Sequence, residues 1–105
     1  MNNKNKRTYA NELTEQNEGE EITIGGWLED LRDIGSIIFG TIRDNTGLIQ
    51  IIIKKEEQEV FNRIKTVPRQ SAILLRGTVN ISKAKDFKVE IKVSEIEIVS
   101  EAESK

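Results

Sequence analysis

Phe39 and Gln50 are the two side chains with the strongest claim to recognition chemistry in this sequence. They stand eleven residues apart, on either side of Asp44-Asn45-Thr46-Gly47. An aromatic ring can stack on an unpaired nucleobase, and a primary amide offers an acceptor and two donors to a base edge. Arg43 adds a guanidinium on the same arm as Phe39. Catalytic chemistry has less to draw on. The chain of 105 residues contains no His and no Cys. That removes catalysis by either side chain, zinc sites built on them, and disulfides. Neither a metal nor a cofactor is expected.

A hairpin must hold these groups. Ile37 to Arg43 and Leu48 to Ile53 are β-branched runs, and the Asp-Asn-Thr-Gly stretch between them has turn chemistry: Asn and Asp tolerate left-handed backbone angles, and Gly reaches positive φ freely. Side chains along a strand alternate between its two faces. Phe39, Thr41 and Arg43 therefore share one face, and Ile38, Gly40 and Ile42 the other. Gln50 is the single polar residue inside an apolar arm. With Phe39 and Arg43 it forms a set able to stack on a base and hydrogen-bond to it.

The remaining elements follow from periodicity. Residues 1–7 read as a charged arm, and Thr8 to Gln16 as a short helix capped by Thr8 or Asn11. Glu21 to Arg32 is a long strand. Ile22 and Ile24 face one way, and Trp27 and Leu31 have the opposite parity, so a bulge or coil is expected at Gly25-Gly26. Trp27 is expected in the core, as the usual burial of Trp suggests. Lys55 to Lys65 is a helix with Val60, Phe61 and Ile64 as its apolar stripe, stopped before Pro68. Ser71 to Ser82 is a strand with Ile73, Leu75, Gly77, Val79 and Ile81 inward. Lys83 to Asp86 is a charged loop. Phe87 to Val99 is the last strand, with Phe87, Val89, Ile91 and Val93 inward, Lys88, Glu90 and Lys92 outward, and a break near Ser94.

Five strands with a helix between the third and fourth describe an all-β domain with little helix. That element order is the OB-fold, a five-stranded Greek-key barrel that commonly binds oligonucleotides or oligosaccharides. An SH3-like barrel is the rival, and it lacks a comparable helix there. The expected divisions are an arm and short helix over 1–18, the barrel over 19–100, and a tail over 101–105.

Charge sets limits on the partner. The formal net charge is −2, but residues 22–94 carry +3 and the two ends are acidic. A body this mildly basic supports a few phosphate contacts and not a broad clamp. Neutralising about three phosphates would give a log–log salt slope near −2 on single strands. No apolar run approaches the roughly 20 residues of a membrane span, and MNNKNKR has no apolar core behind it. A soluble, cytoplasmic protein is expected.

The runs GGWLEDLRDIG, IIFGTIRDNTGLIQIII, LLRGTVNISKAKDFKVEI and EIEIVSEAE, taken together, resemble the N-terminal anticodon-binding domain of class II aspartyl-tRNA synthetases, in particular archaeal-type and asparaginyl members. The resemblance covers Thr8 to Glu103. It implies that Phe39 stacks under the central anticodon base, a uridine, and that Gln50 hydrogen-bonds to it. It further implies that Arg32 and Glu90 face the anticodon, and that Lys83 and Lys85 approach its backbone or third base. Glu29 departs from the pattern: related sequences often place an aromatic or His there, near the third base. A carboxylate could accept from a cytosine amino group but would repel phosphate, so the choice between aspartate and asparagine anticodons stays open. The implied partner is the anticodon loop of tRNA, with a synthetase catalytic domain in cis or in trans. The chain alone is expected to be non-catalytic.

Each of these residues also has a plainer reading. Phe39 could cover apolar surface, and Gln50 could be an ordinary edge residue. Arg32 and Arg43 could pair with Asp33 and Asp44, the preferred reading for Arg43. Glu90 could be charge alternation, and the two lysines simply solvated. The competing functions are a general single-stranded nucleic-acid-binding OB protein and a protein-interaction OB subunit.

Overall fold

A computed structural model of the protein describes residues 7–101. Most of the expected arm and tail lies outside these residues. Six strands and one helix run in the order β1 (Arg7–Thr8), β2 (Glu21–Asp33), β3 (Ile37–Asp44), β4 (Gly47–Lys54), α1 (Gln58–Ile64), β5 (Ala72–Ile81) and β6 (Val89–Ser100). The sheet order is β1-β2-β3-β4-β6-β5, and β2 also pairs with β5, so β2 to β6 close into a five-stranded barrel. Among the barrel strands β4 and β6 pair in parallel and the other neighbours are antiparallel. The helix falls between the third and fourth barrel strands, and the all-β OB-fold expected from the sequence is the fold observed.

Strand alternation builds the interior. Ile22, Ile24, Ile38, Ile42, Ile51, Ile53, Ile73, Leu75, Val79, Ile91 and Val93 are buried in one cluster, and Val60, Phe61 and Ile64 of α1 join it. The stripe therefore packs into the core. Ile81, expected inward, is exposed at the end of β5, and Phe87 precedes β6 and is only partly buried. The expected break near Ser94 is instead a bulge within one continuous β6, where pairing jumps from Gly77↔Val93 to Arg76↔Glu95. The Ser94 hydroxyl donates to the Arg76 carbonyl at 3.2 Å, on the partner strand beside the bulge.

The slip in β2 is real but lies elsewhere. Gly25 and Gly26 pair in unbroken register with Leu74 and Ile73. The irregularity falls between Leu28 and Asp30. Leu28 is fully buried in phase with Ile22 and Ile24, and Glu29 is the extra residue that flips the parity for Leu31. Gly26 is required for a different reason: a Cβ there would collide with the Arg43 carbonyl where β3 crosses. Trp27, expected in the core, points outward and is 43% exposed.

The short N-terminal helix is also replaced. Residues 7–17 form the two-residue β1, parallel to β2 at Thr23 and Ile24, and two 3₁₀ turns, Ala10–Glu12 and Glu15–Asn17. Neither Thr8 nor Asn11 caps them. The Glu12 carboxylate accepts from the Tyr9 N–H at 2.8 Å, and the Thr14 hydroxyl accepts from the Gln16 N–H at 3.2 Å.

Candidate nucleic-acid interface

The hairpin of β3 and β4 fixes the geometry of the outward face. Its turn is shaped by Asp44, not by left-handed Asn or Asp, because within the turn only Gly47 takes a positive φ. The Asp44 carboxylate accepts from the Thr46 N–H at 2.7 Å, the Thr46 hydroxyl at 2.6 Å and the Gly47 N–H at 3.1 Å. Its second oxygen accepts from the Ala10 N–H at 2.8 Å, tying the N-terminal segment to the hairpin. Burial alone would push this carboxyl up. The Thr46 hydroxyl and the Ala10, Thr46 and Gly47 amides outweigh it and hold the pKa below its ordinary 3.8.

Register then assembles two outward rungs across four strands. One runs Arg32–Phe39–Ile52–Lys92, the other Asp30–Thr41–Gln50–Glu90. Phe39 and Gln50 are diagonal neighbours across the β3–β4 pair, a spacing of roughly 7–8 Å. One flat ligand can reach both. The Arg32 guanidinium lies over the Phe39 ring, 5.6 Å from its centroid. The expected alternative for Arg32, a pair with Asp33, is not formed: Asp33 accepts from Gly35 N–H and pairs with Lys65 at 3.6 Å. Ile52, the cross-strand partner of Phe39, is 6% exposed although it is outside the barrel cluster. It forms an apolar floor beneath the rung.

Gln50 is oriented by its neighbours. Its Nε2 donates to Glu90 Oε1 at 2.8 Å and lies 3.4 Å from the Ser82 hydroxyl. An ionised carboxylate only accepts, so the amide nitrogen must face Glu90 and the amide oxygen turns away. That oxygen can accept from the imino N–H of a base. Ser82 also accepts from the Ala84 N–H at 2.9 Å, which links the loop carrying Lys83 and Lys85 to the Gln50 end of the face. Both lysines are exposed and hold no ion pair among the described residues.

Arg43 is paired, but with Glu29 and not with Asp44. Its Nε donates to both Glu29 oxygens at 2.9 and 3.0 Å. The bulge re-aims Glu29 toward β3, and the pair neutralises the carboxylate that would repel a phosphate. Sequence reasoning missed Ile52, Ser82 and the outward Trp27. Ile52 shares the parity of Gln50, which was signal enough. Ser82 had none, since its role depends on how the β5–β6 loop folds back.

A closed five-stranded barrel whose outward face carries a guanidinium-backed aromatic and a braced amide is a nucleic-acid-binding barrel in class. The chain belongs to the tRNA anticodon family of OB-fold nucleic acid binding domains, whose model matches residues 22–99. It is 32% identical over 101 residues to an aspartate–tRNA(Asp/Asn) ligase of Methanopyrus kandleri, covering 94% of this chain and 23% of that protein. It is 40% identical over 89 residues to the corresponding ligase of Methanoculleus marisnigri, covering 83% of this chain and 21% of that one. The aspartyl-tRNA synthetase of Entamoeba histolytica superposes with a TM-score of 0.86 at 25% identity, over 95% of this chain and 22% of that structure. The chain thus spans about a fifth of these relatives' length, and the family match falls on its OB-fold barrel. No helix among the described residues is long and apolar enough to cross a membrane.

Proposed function

We propose that this domain binds the anticodon loop of a tRNA and reads its central base, in the cytoplasm and alongside a synthetase catalytic domain in cis or in trans. The observation that carries the reading is the pairing on one face of the Arg32–Phe39 stack with the Gln50–Glu90 hydrogen bond. Phe39 is the stacking platform, and Arg32 steadies its ring. Gln50 accepts from the imino N–H of a uridine through its oxygen, and its second N–H exchanges the long 3.4 Å contact with the Ser82 hydroxyl for a uridine carbonyl. Glu90 fixes that amide, so it acts on the base through Gln50. Lys83 and Lys85 meet the backbone on the Gln50 side. Glu29 and Arg43 together offer an acceptor and a donor to the neighbouring base. Single-stranded RNA is read in this way, by stacking and by hydrogen bonds to exposed edges.

The test is an anisotropy titration of a labelled anticodon stem-loop with uridine in the middle position, against the same stem-loop with cytidine and against random single-stranded DNA of equal length. Cytosine presents no imino N–H, so the uridine loop should bind about 5- to 150-fold more tightly, the roughly 1–3 kcal/mol of one good base-edge contact. Equal binding of all three would favour a general single-strand binder.

A further inference from the structure

The outward surface of β2 carries a second aromatic feature that the anticodon reading leaves unused. Trp27 is 43% exposed and Tyr9 38% exposed, and both line a groove of about 180 Å³. Gly25, Gly26, Leu74 and Val99 also line it. The Arg7 guanidinium lies over Tyr9, 5.3 Å from the ring centroid, and lies against Gly25, where a Cβ would come within 3.2 Å of Arg7 Nη2. Two part-exposed aromatics and a cation make an environment suited to a flat ring attached to a phosphate.

Trp27 connects the groove to the outward face of the hairpin through strand register. Trp27 pairs with Arg43, and Arg43 with Leu48, which makes a third outward rung on the same three strands. Along β3, Arg43 is four residues from Phe39, about 13 Å at 3.3 Å per residue. That exceeds the roughly 3.4 Å between stacked neighbours several-fold. Two bases held at this spacing must be splayed from their stack, as the bases of an open loop are. Trp27 keeps 43% of its surface open to solvent in the groove that Tyr9 and Arg7 also line, so part of its ring remains available to a ligand.

We propose that Trp27 and Tyr9 form a second nucleobase platform, which takes an unpaired base of the same RNA strand whose central base stacks on Phe39. Arg7 holds the adjoining phosphate. The proposal rests on the anticodon-loop reading and extends its footprint beyond the hairpin.

Trp27 is the single Trp of the chain, so its fluorescence reports on this groove alone. The experiment titrates the whole 105-residue chain with an unlabelled anticodon stem-loop while following Trp emission, and in parallel measures affinity by anisotropy of the labelled loop. Stacking should quench the emission with the same midpoint as the anisotropy change. Trp27→Ala should weaken binding between about 5- and 150-fold, and Trp27→Phe should retain most of it. Tyr9→Ala keeps the reporter and should reduce both quenching and affinity. A thermal melt on each variant identifies a folding defect, and the unmutated chain carries the fluorescence test whatever the variants do. If the loop binds in a Phe39-dependent manner but leaves Trp27 emission unchanged, and Tyr9→Ala binds like the parent, the second platform is refuted while the anticodon reading stands. In that event the groove is open to a protein partner. If the parent chain fails to bind the loop at all, both fall.

Discussion

Truncating Phe39 separates a recognition residue from a core residue by two numbers measured on one variant. The ring lies on the outward rung, with Arg32 over it and Ile52 beside it on β4, and it is not part of the barrel cluster. Phe39→Ala therefore removes the only aromatic of the two rungs. Loss of a stacked base costs about 1–3 kcal/mol, or about 5- to 150-fold in Kd, whichever base occupies the position. The folding cost is set by different atoms. Fully burying a Phe is worth about 1.5–3 kcal/mol, and Phe39 is only partly buried. Water refills the outer surface, so there is no cavity term, and a loss of about 1–2 kcal/mol is expected where a core Phe→Ala costs 3–5 kcal/mol. Anisotropy titration gives the first number, and urea denaturation followed by far-UV circular dichroism gives the second. Destabilisation beyond about 4 kcal/mol would make Phe39 a core residue and undo the register argument. Full stability with unchanged affinity would remove it from the interface.

Glu90→Gln keeps the size of the side chain but ends the constraint that turns the Gln50 oxygen outward. It should halve or abolish the preference for uridine over cytidine while leaving Phe39-dependent affinity in place, and Gln50→Ala should do the same with a small further loss in affinity. Asp44→Ala strands the buried Ala10 N–H and undoes the turn, at a cost on the order of 2–4 kcal/mol, and hydrogen exchange over residues 7–13 should rise most. Because the folded-state pKa of Asp44 lies below its ordinary 3.8, its contribution is complete at neutral pH. It is lost only as pH falls through that lowered value, so acid titration should destabilise the parent below about pH 4 more than the Asp44→Ala variant. Gly26→Ala should destabilise by roughly 3 kcal/mol or more, since the new Cβ meets backbone that cannot move aside. A Gly26→Ala melt within about 1 kcal/mol of the parent, the central cost of point substitutions in general, would contradict the strand crossing described.

The face of the hairpin was legible because it depends only on local alternation. Phe39, Thr41 and Arg43 share a side by strand period alone, and the pattern of buried Ile38, Gly40 and Ile42 matches it. The same rule would have placed Trp27 outward, in antiphase to Ile22, Ile24 and Leu28. The general preference of Trp for burial overrode it. The bulge was assigned to Gly25-Gly26 because glycines often mark bulges, yet the glycine at 26 serves a close crossing of strands and the bulge sits at Glu29. The N-terminal segment has too few apolar residues to carry a helical period. Its structure is set by the Asp44 carboxylate 34 residues away. The bond between Gln50 and Glu90 spans 40 residues across the parallel β4–β6 pair. No pattern within either strand encodes that register. It follows from barrel closure, and family resemblance supplied Glu90 where periodicity could only say that it faces out.

The central claim is that an anticodon loop lies across the outward face of β2, β3 and β4. Amide and side-chain NMR shifts of the ¹⁵N-labelled chain, recorded as an unlabelled anticodon stem-loop with a central uridine is added, test it most directly. The account predicts the largest shifts at Arg32, Phe39, Thr41, the Gln50 side-chain amide and the loop from Ser82 to Lys85, with little change at Arg63 of α1 and at Glu95 and Glu97, where β6 pairs with β5. Saturable shifts centred on Arg63, Glu95 and Glu97, with the Gln50 side-chain amide unmoved, would contradict it.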